Sequence, residues 1–322
     1  MSLTQMQVFN QYVQPAVIET LAEMMKVFNS ASGGAITLTN DKFGGDFLQK
    51  AFYASLNSAQ RRVDRYSANA PVAPVNLSQI KHSSVKVAGA FGPVIYEPSQ
   101  MTWLKKPEVE GIEVISKSLA ENILKDQLNT VIAALVAAIE NQPAATNDVS
   151  ATAGVSYTAL NSAHAKFGDA SSDIVASIIN GATYHKFIEK NIGNAGNLFS
   201  SAGVTIVSIL NKLVIVTDAP ALYKSGTPNK MKMLGLTAGA AQVFGGADLI
   251  ANIQTANGND RIITTLQGDY SFGVSLKGYS WDEANGGKSP SDAAIATGSN
   301  WDKVATSIKH TAGVIAIVDA DK

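Results

Sequence analysis

The chain has 322 residues, 46% of them apolar and 16% charged, with a formal net charge of −1 and no cysteine. A charge near zero gives no electrostatic case for binding nucleic acid or an acidic membrane, and the missing thiols exclude disulfides, thiol catalysis and cysteine-based metal or iron–sulfur sites. The charged fraction lies below the about 25% of ordinary soluble proteins, which predicts that partners cover part of the surface.

Residues 6–29 read as an amphipathic helix, with Val8, Tyr12, Ala16, Ile18, Leu21, Met24, Met25 and Phe28 along one stripe. Pro15 is expected to interrupt it, and Ser30 to Gly34 to end it. Such a helix either lies on the chain's own core or forms an arm on a neighbouring subunit. The start of the sequence lacks the basic residues and apolar run of a signal peptide, and no transmembrane segment is expected. The protein is therefore expected to be made and kept in a cytoplasm until something releases it.

Residues 33–106 do not read as an independent globule. Ala35–Thr39 is a strand candidate, 46–65 is helix-like but irregular, and Ser84–Ala88 with Gly92–Glu97 forms a candidate hairpin. Such a segment has little core of its own and must lean on something else. Three of the chain's four arginines, Arg61, Arg62 and Arg65, fall here, with Asp64 among them. Clustered guanidinium groups suit carboxylate pairing across an interface. A solvated helix face is an equal alternative, and nucleic-acid contact a weaker third.

Residues 107–142 read as one long helix of roughly 50 Å, from ~1.5 Å rise per residue. Pro107 suits its first position, apolar residues from Ile112 to Ile139 recur three or four apart, and Pro143 stops it. Val131–Ile139 is apolar nearly all round and predicts burial on several sides.

Further on, 157–167 reads as a short helix, 173–179 as a strand, and 183–190 as a helix. Val204–Val207 and Leu213–Thr217 are β-branched, buried strands. Asn257-Gly258 between two alternating runs signals a hairpin, and 271–277 follows as a strand. The region 170–270 thus reads as mixed α/β. A turn-rich tail ends in the strand Gly313–Val318.

Chemistry-bearing motifs are sparse. Asn285-Gly-Gly-Lys-Ser289 has the last residues of a phosphate loop, but Asp282 stands where glycine is needed. His82, His164, His185 and His310 lack metal-ligand spacing. Ser162 near His164 is no catalytic signature, and Asp169, Asp173, Asp218 and Asp282 fit turns and caps better than an acid–base pair. No catalytic, cofactor or metal residue is expected.

The order of segments resembles the major capsid protein of tailed bacteriophages. The most specific match is the tail: Lys277-Gly-Tyr-Ser-Trp-Asp282, Asn285-Gly-Gly-Lys-Ser-Pro290 and Ala296-Thr-Gly-Ser-Asn-Trp-Asp-Lys303. Thr183-Tyr184-His185 and Val216-Thr-Asp-Ala-Pro220 resemble the same branch. The resemblance implies an α+β, Hong Kong 97-like capsid fold. Its parts would be an N-terminal arm (1–32), an extended loop (33–106), a peripheral domain (107–169 and 270–322) containing a spine helix (107–142), and an axial domain (170–269). It implies a non-enzymatic, structural protein that assembles with itself into hexamers and pentamers of an icosahedral head enclosing double-stranded DNA, without sequence-specific binding and without a membrane. A portal is implied too. A separate scaffolding protein is expected because only about thirty residues precede the loop. Localisation would be the virion capsid, assembled in the host cytoplasm. Arg61, Arg62, Asp64 and Arg65 would make inter-subunit contacts from the extended loop. The rivals are an encapsulin-type compartment shell and, more distantly, a soluble hydrolase.

Overall fold

The computed structural model describes residues 3–41, 44–53, 61–74, 79–97, 108–190, 199–201, 204–209, 212–258 and 260–322. Among these, two long helices and two sheets carry the architecture.

Helix α1 spans Leu3–Ala31 and helix α2 spans Glu108–Glu140. Pro15 does not interrupt α1. Val13, Val17, Leu21, Met25 and Phe28 are buried at spacings of three and four, in one cluster with Ala120, Ile123, Leu124 and Val131 of α2. This part of α1 therefore packs on its own chain. The Gln14 side chain also donates to Leu249 O at 2.8 Å. In α2, every residue from Ala134 to Ile139 is buried, so this end is enclosed on all sides, as its composition predicts. Thr146 Oγ1 closes the helix by donating to Ile139 O at 3.1 Å and Gln142 O at 3.0 Å. By length and composition α2 could cross a membrane, but 67% of its most apolar window is buried inside the protein. Pro107 lies outside the described residues.

The strands are β1 (Ile36–Leu38), β2 (Phe47–Tyr53) and β3 (Gln79–Tyr96); β4 (Thr146–Asp148), β5 (Ile174–Ile179), β6 (Phe199–Ser201), β7 (Val204–Ile209), β8 (Lys212–Val216) and β9 (Tyr223–Lys224); and β10 (Lys230–Thr237), β11 (Ala241–Ala256), β12 (Ile263–Leu276), β13 (Tyr279–Trp281), β14 (Trp301–Lys303) and β15 (Gly313–Asp319). Shorter helices are α3 (Tyr157–His164), α4 (Gly181–Lys190) and α5 (Asp292–Ile295).

The first sheet runs β2-β3-β12-β11-β1, and β12 turns back at Gly278 into β13 and β14. Its inner face, with Val85, Val243, Leu249, Phe272 and Val274, packs in the cluster that holds α1 and α2. The hairpin expected at Asn257-Gly258 joins β11 to β12. Three expectations change here. Residues 47–53 form a strand rather than helix, because pairing with 79–85 overrides an ambiguous local pattern. Ser84–Ala88 and Gly92–Glu97 do not pair with each other. Both runs up to Tyr96 lie in the single strand β3, and both pair with β12. At Gly92-Pro93 the strand bulges: Gly92 has φ +88, and a Cβ there would stand 2.6 Å from Leu266 O. Residues 263–276 are likewise one strand, so the expected division at 269/270 falls inside β12.

The second sheet runs β4-β15-β10-β5-β8-β7-β6, with β9 on β10. The strand β15, expected to group with 270–322, instead sits between β10 and β4. Its composition explains this, since Gly313–Asp319 is buried throughout and belongs in a sheet covered on both faces. Ile315 and Ile317 join the cluster of α2, while Val314, Ala316 and Val318 join a second cluster with Leu160 and Ala163 of α3 and Phe187 of α4. Lys232 of β10, with its side chain 8% exposed, meets Glu140 at the end of α2 at 2.6 Å.

Candidate interaction surfaces

The segment 61–74 is exposed at every residue, with Tyr66 at 101%. It is not helical. Asp64 organises it locally: its carboxylate accepts from Tyr66 N at 2.9 Å, and Ser67 Oγ donates to Asp64 O at 3.1 Å. Among the described residues no carboxylate pairs with Arg61, Arg62 or Arg65. The structure thus brings the four predicted contact residues together on one solvated stretch. The stretch is solvated, as the alternative expected, but it is not a helix.

A second exposed surface belongs to the first sheet. Val94 and Ile95 on β3 and Ile262 before β12 are exposed at its far end, and Ile250 is 71% exposed mid-strand on β11, opposite Asp269. Arg261 and Glu97 close this end at 3.0 Å. Isolated exposed apolar residues are ordinary.

These surfaces project from a root that sequence spacing did not reveal. Glu283, two residues after β13, accepts from Lys81 at 2.8 Å and Gln49 at 2.8 Å, and from the Ser83 hydroxyl. Those bonds, Lys81 first, hold the Glu283 carboxyl below its usual range. Lys288 meets Asp46 at 2.9 Å, which raises the Lys288 ammonium. The tail therefore clamps β2 and β3 across about two hundred positions of sequence.

The same tail accounts for the phosphate-loop fragment. Asp282 caps a turn through Ala284 N at 2.9 Å and Asn285 N at 3.2 Å. Trp281 Nε1 donates to Gly287 O at 3.0 Å, and a Cβ on Gly286 would lie 2.3 Å from the indole. The glycines allow an indole to lie against backbone; no strand-to-helix turn cradles a phosphate there. Trp281 packs edge-on against Trp301, centroids 4.8 Å apart.

The other weighed residues have structural roles. Ser162 is exposed while His164 is buried and faces Ser177 Oγ at 3.5 Å. Burial lowers the His164 pKa to about 4. Asp218 accepts from Gly181 N at 2.9 Å at the start of α4, and Asp169 pairs with Lys309. Among the described residues no group of three His, Asp or Glu could hold a metal ion.

The family model described as Gp13-like, major capsid protein 13-like, matches residues 5–315. No curated protein matches the chain. Among solved structures, a chain of the cyanophage Pam1 capsid asymmetric unit aligns with TM-score 0.51 at 10% identity, covering 88% of this chain and 88% of that one. A chain from Microbacterium phage Oxtober96 gives 0.53 at 11% identity, covering 90% of each. The acidic stable capsid structure of Helicobacter pylori bacteriophage KHP30 gives 0.52 at 10% identity, covering 91% of each. Likeness at such identity shows the fold alone.

Proposed function

Because this chain belongs to the Gp13-like major capsid protein family and has the α+β, Hong Kong 97-like capsid fold, it is a structural capsid protein of tailed phages, and we propose that it builds an icosahedral head around packaged double-stranded DNA. The family implies a structural, non-enzymatic role, self-association into a shell, and a place in the virion capsid. The finer reading adds hexamers and pentamers, assembly in the host cytoplasm, a separate scaffolding protein and a portal.

The observation that carries this reading is the exposed segment 61–74 on a clamped root. A stretch without a core lies uncovered between two clamped strands in the sequence, which is the condition of a part completed by a neighbour. In this reading Arg61, Arg62 and Arg65 pair with carboxylates of adjacent subunits, with Asp64 shaping their turn. The first sheet with α2 serves as the peripheral domain. The second sheet, which includes β15, serves as the axial domain.

Negative-stain microscopy of the purified protein, alone and with a scaffolding partner, tests the proposal. Shells, rings or tubes are the expected result; a clean monomer under all conditions contradicts it. Nuclease-protected DNA inside native particles distinguishes a phage head from an encapsulin-type shell, which would hold protein cargo.

A further inference from the structure

At the root of the first sheet lies a cavity of about 430 Å³, within the ~300–1,000 Å³ typical of small-molecule sites. Its polar lining comes from separate segments: Lys50 of β2, His82 of β3, Gln242 of β11, Ser275 and Lys277 at the end of β12, and His310. Among the described residues no carboxylate lines it, although the chain has 26 acidic residues against 25 lysines and arginines. The local charge is therefore positive in a chain that is neutral overall.

The lining groups are fixed by the fold. Strand register sets Lys50 opposite His82 and Gln242 opposite Ser275. The Lys50 ammonium stands 5.7 Å from the Phe244 ring centroid. Lys277 donates to Thr237 Oγ1 at 3.2 Å and Ala238 O at 3.1 Å, which anchors its stem and leaves one ammonium proton for a ligand. His82 Nε2 is 3.0 Å from Leu276 O, which ties β3 to the end of β12. The Gln242 amide, the Ser275 hydroxyl and the His310 ring line the same cavity and add donors.

Two cations, one of them anchored, with neutral donors and no acid in the same described lining, match the charge and oxygen-rich surface of a phosphate. The geometry points to a binding site for a small multivalent phosphate anion, pyrophosphate being the probe of matching size. A bound anion would join β2 and β3 to β12 and to the 304–310 segment, and so stiffen the root from which 61–74 projects.

The test is equilibrium dialysis of the full chain, assembled or not, against labelled pyrophosphate at constant chloride. Saturable binding of one pyrophosphate per chain is expected. Lys50→Glu and Ser275→Glu each place a carboxylate in the cavity and should weaken binding at least tenfold with an unchanged circular dichroism spectrum. If Lys50→Glu does not fold, Lys50→Met paired with Ser275→Glu gives the same reading. No saturable binding, or binding that ignores all these variants, overturns the site. A short DNA duplex that occupies the cavity where pyrophosphate does not overturns the small-anion assignment in favour of a phosphodiester backbone.

Discussion

The two sheets of this molecule are stabilised in different ways. The central strands β5, β10 and β15 of the second sheet are covered on both faces, so that alternate residues of β15 enter two different apolar clusters of the same chain. The first sheet is covered on its inner face only, and its outer face and far end expose Ile250, Asp269, Val94 and Ile95. A residue in the second sheet contributes to folding of the subunit. One at the far end of the first sheet, or in 61–74, contributes chiefly to what the subunit touches.

That contrast gives a ranked series of tests. The largest effect should come from Leu128→Pro in α2, which serves both sheets. A proline in a helix interior costs about 3 kcal/mol or more, and insoluble protein is expected on expression. Soluble, shell-forming protein would show that the two halves do not depend on one continuous helix.

Next is acid sensitivity confined to the second sheet. The folded-state pKa of His164 is lowered from 6.5 to about 4. The unfolded chain therefore binds a proton first as pH falls, and stability is lost between pH 6.5 and about 4. The loss amounts to roughly 3 kcal/mol, at 1.36 kcal/mol per unit. The lowered carboxyls of Asp148 and Glu283 act the same way from the ordinary carboxylate range downward, Glu283 beginning at the lower edge of this window. Urea melts at pH 7 and pH 4.5 should show the loss in the parent and a flatter response in His164→Gln. An equal slope in both would remove His164 as the cause.

A smaller effect is expected at the clamp. Glu283→Ala removes acceptors for Lys81, Gln49 and Ser83 at a partly solvated site, worth about 1 kcal/mol. Thermal unfolding should shift by a few degrees, and hydrogen exchange should quicken in β2 and the adjoining part of β3 but not in β15. Uniform quickening would mean that the clamp supports the whole fold.

Smallest for folding is reversal of Arg61, Arg62 and Arg65 to Glu. All three are exposed, so the melting curve should move within about 0.5 kcal/mol of the parent. Assembly seen by electron microscopy should nevertheless fail, because desolvated interface pairs cost ~2–5 kcal/mol to break. Normal shells from this variant would exclude the arginines from the contacts.

Periodicity made the long helix legible, and β-branched runs made most of the second sheet legible. These signals are local. What escaped them was long-range pairing. Residues 47–53 became a strand because 79–85 lay beside them, and Gly92-Pro93 became a bulge because β12 offered partners to both flanking runs. The four candidate contact residues were visible as a cluster of arginine. The Glu283 clamp was not, since its partners lie about two hundred residues away and only a fold brings them together. The glycines of Asn285-Gly-Gly-Lys288 carried a real signal, namely close backbone approach, but its cause is the indole of Trp281.

The pair between Lys232 and Glu140 joins the end of α2 to a central strand of the second sheet, with the lysine nearly buried. Separating the two would strand a desolvated ammonium, an arrangement that costs about 3–5 kcal/mol. The helix and the second sheet therefore turn as one body. At ~1.5 Å per residue the helix is a rod of about 50 Å, so a tilt of about 5° at this joint carries its far end roughly 4 Å. The rod also lies against α1 and the first sheet, and a small rotation of one half of the subunit is thus magnified at the margin where the next subunit would sit.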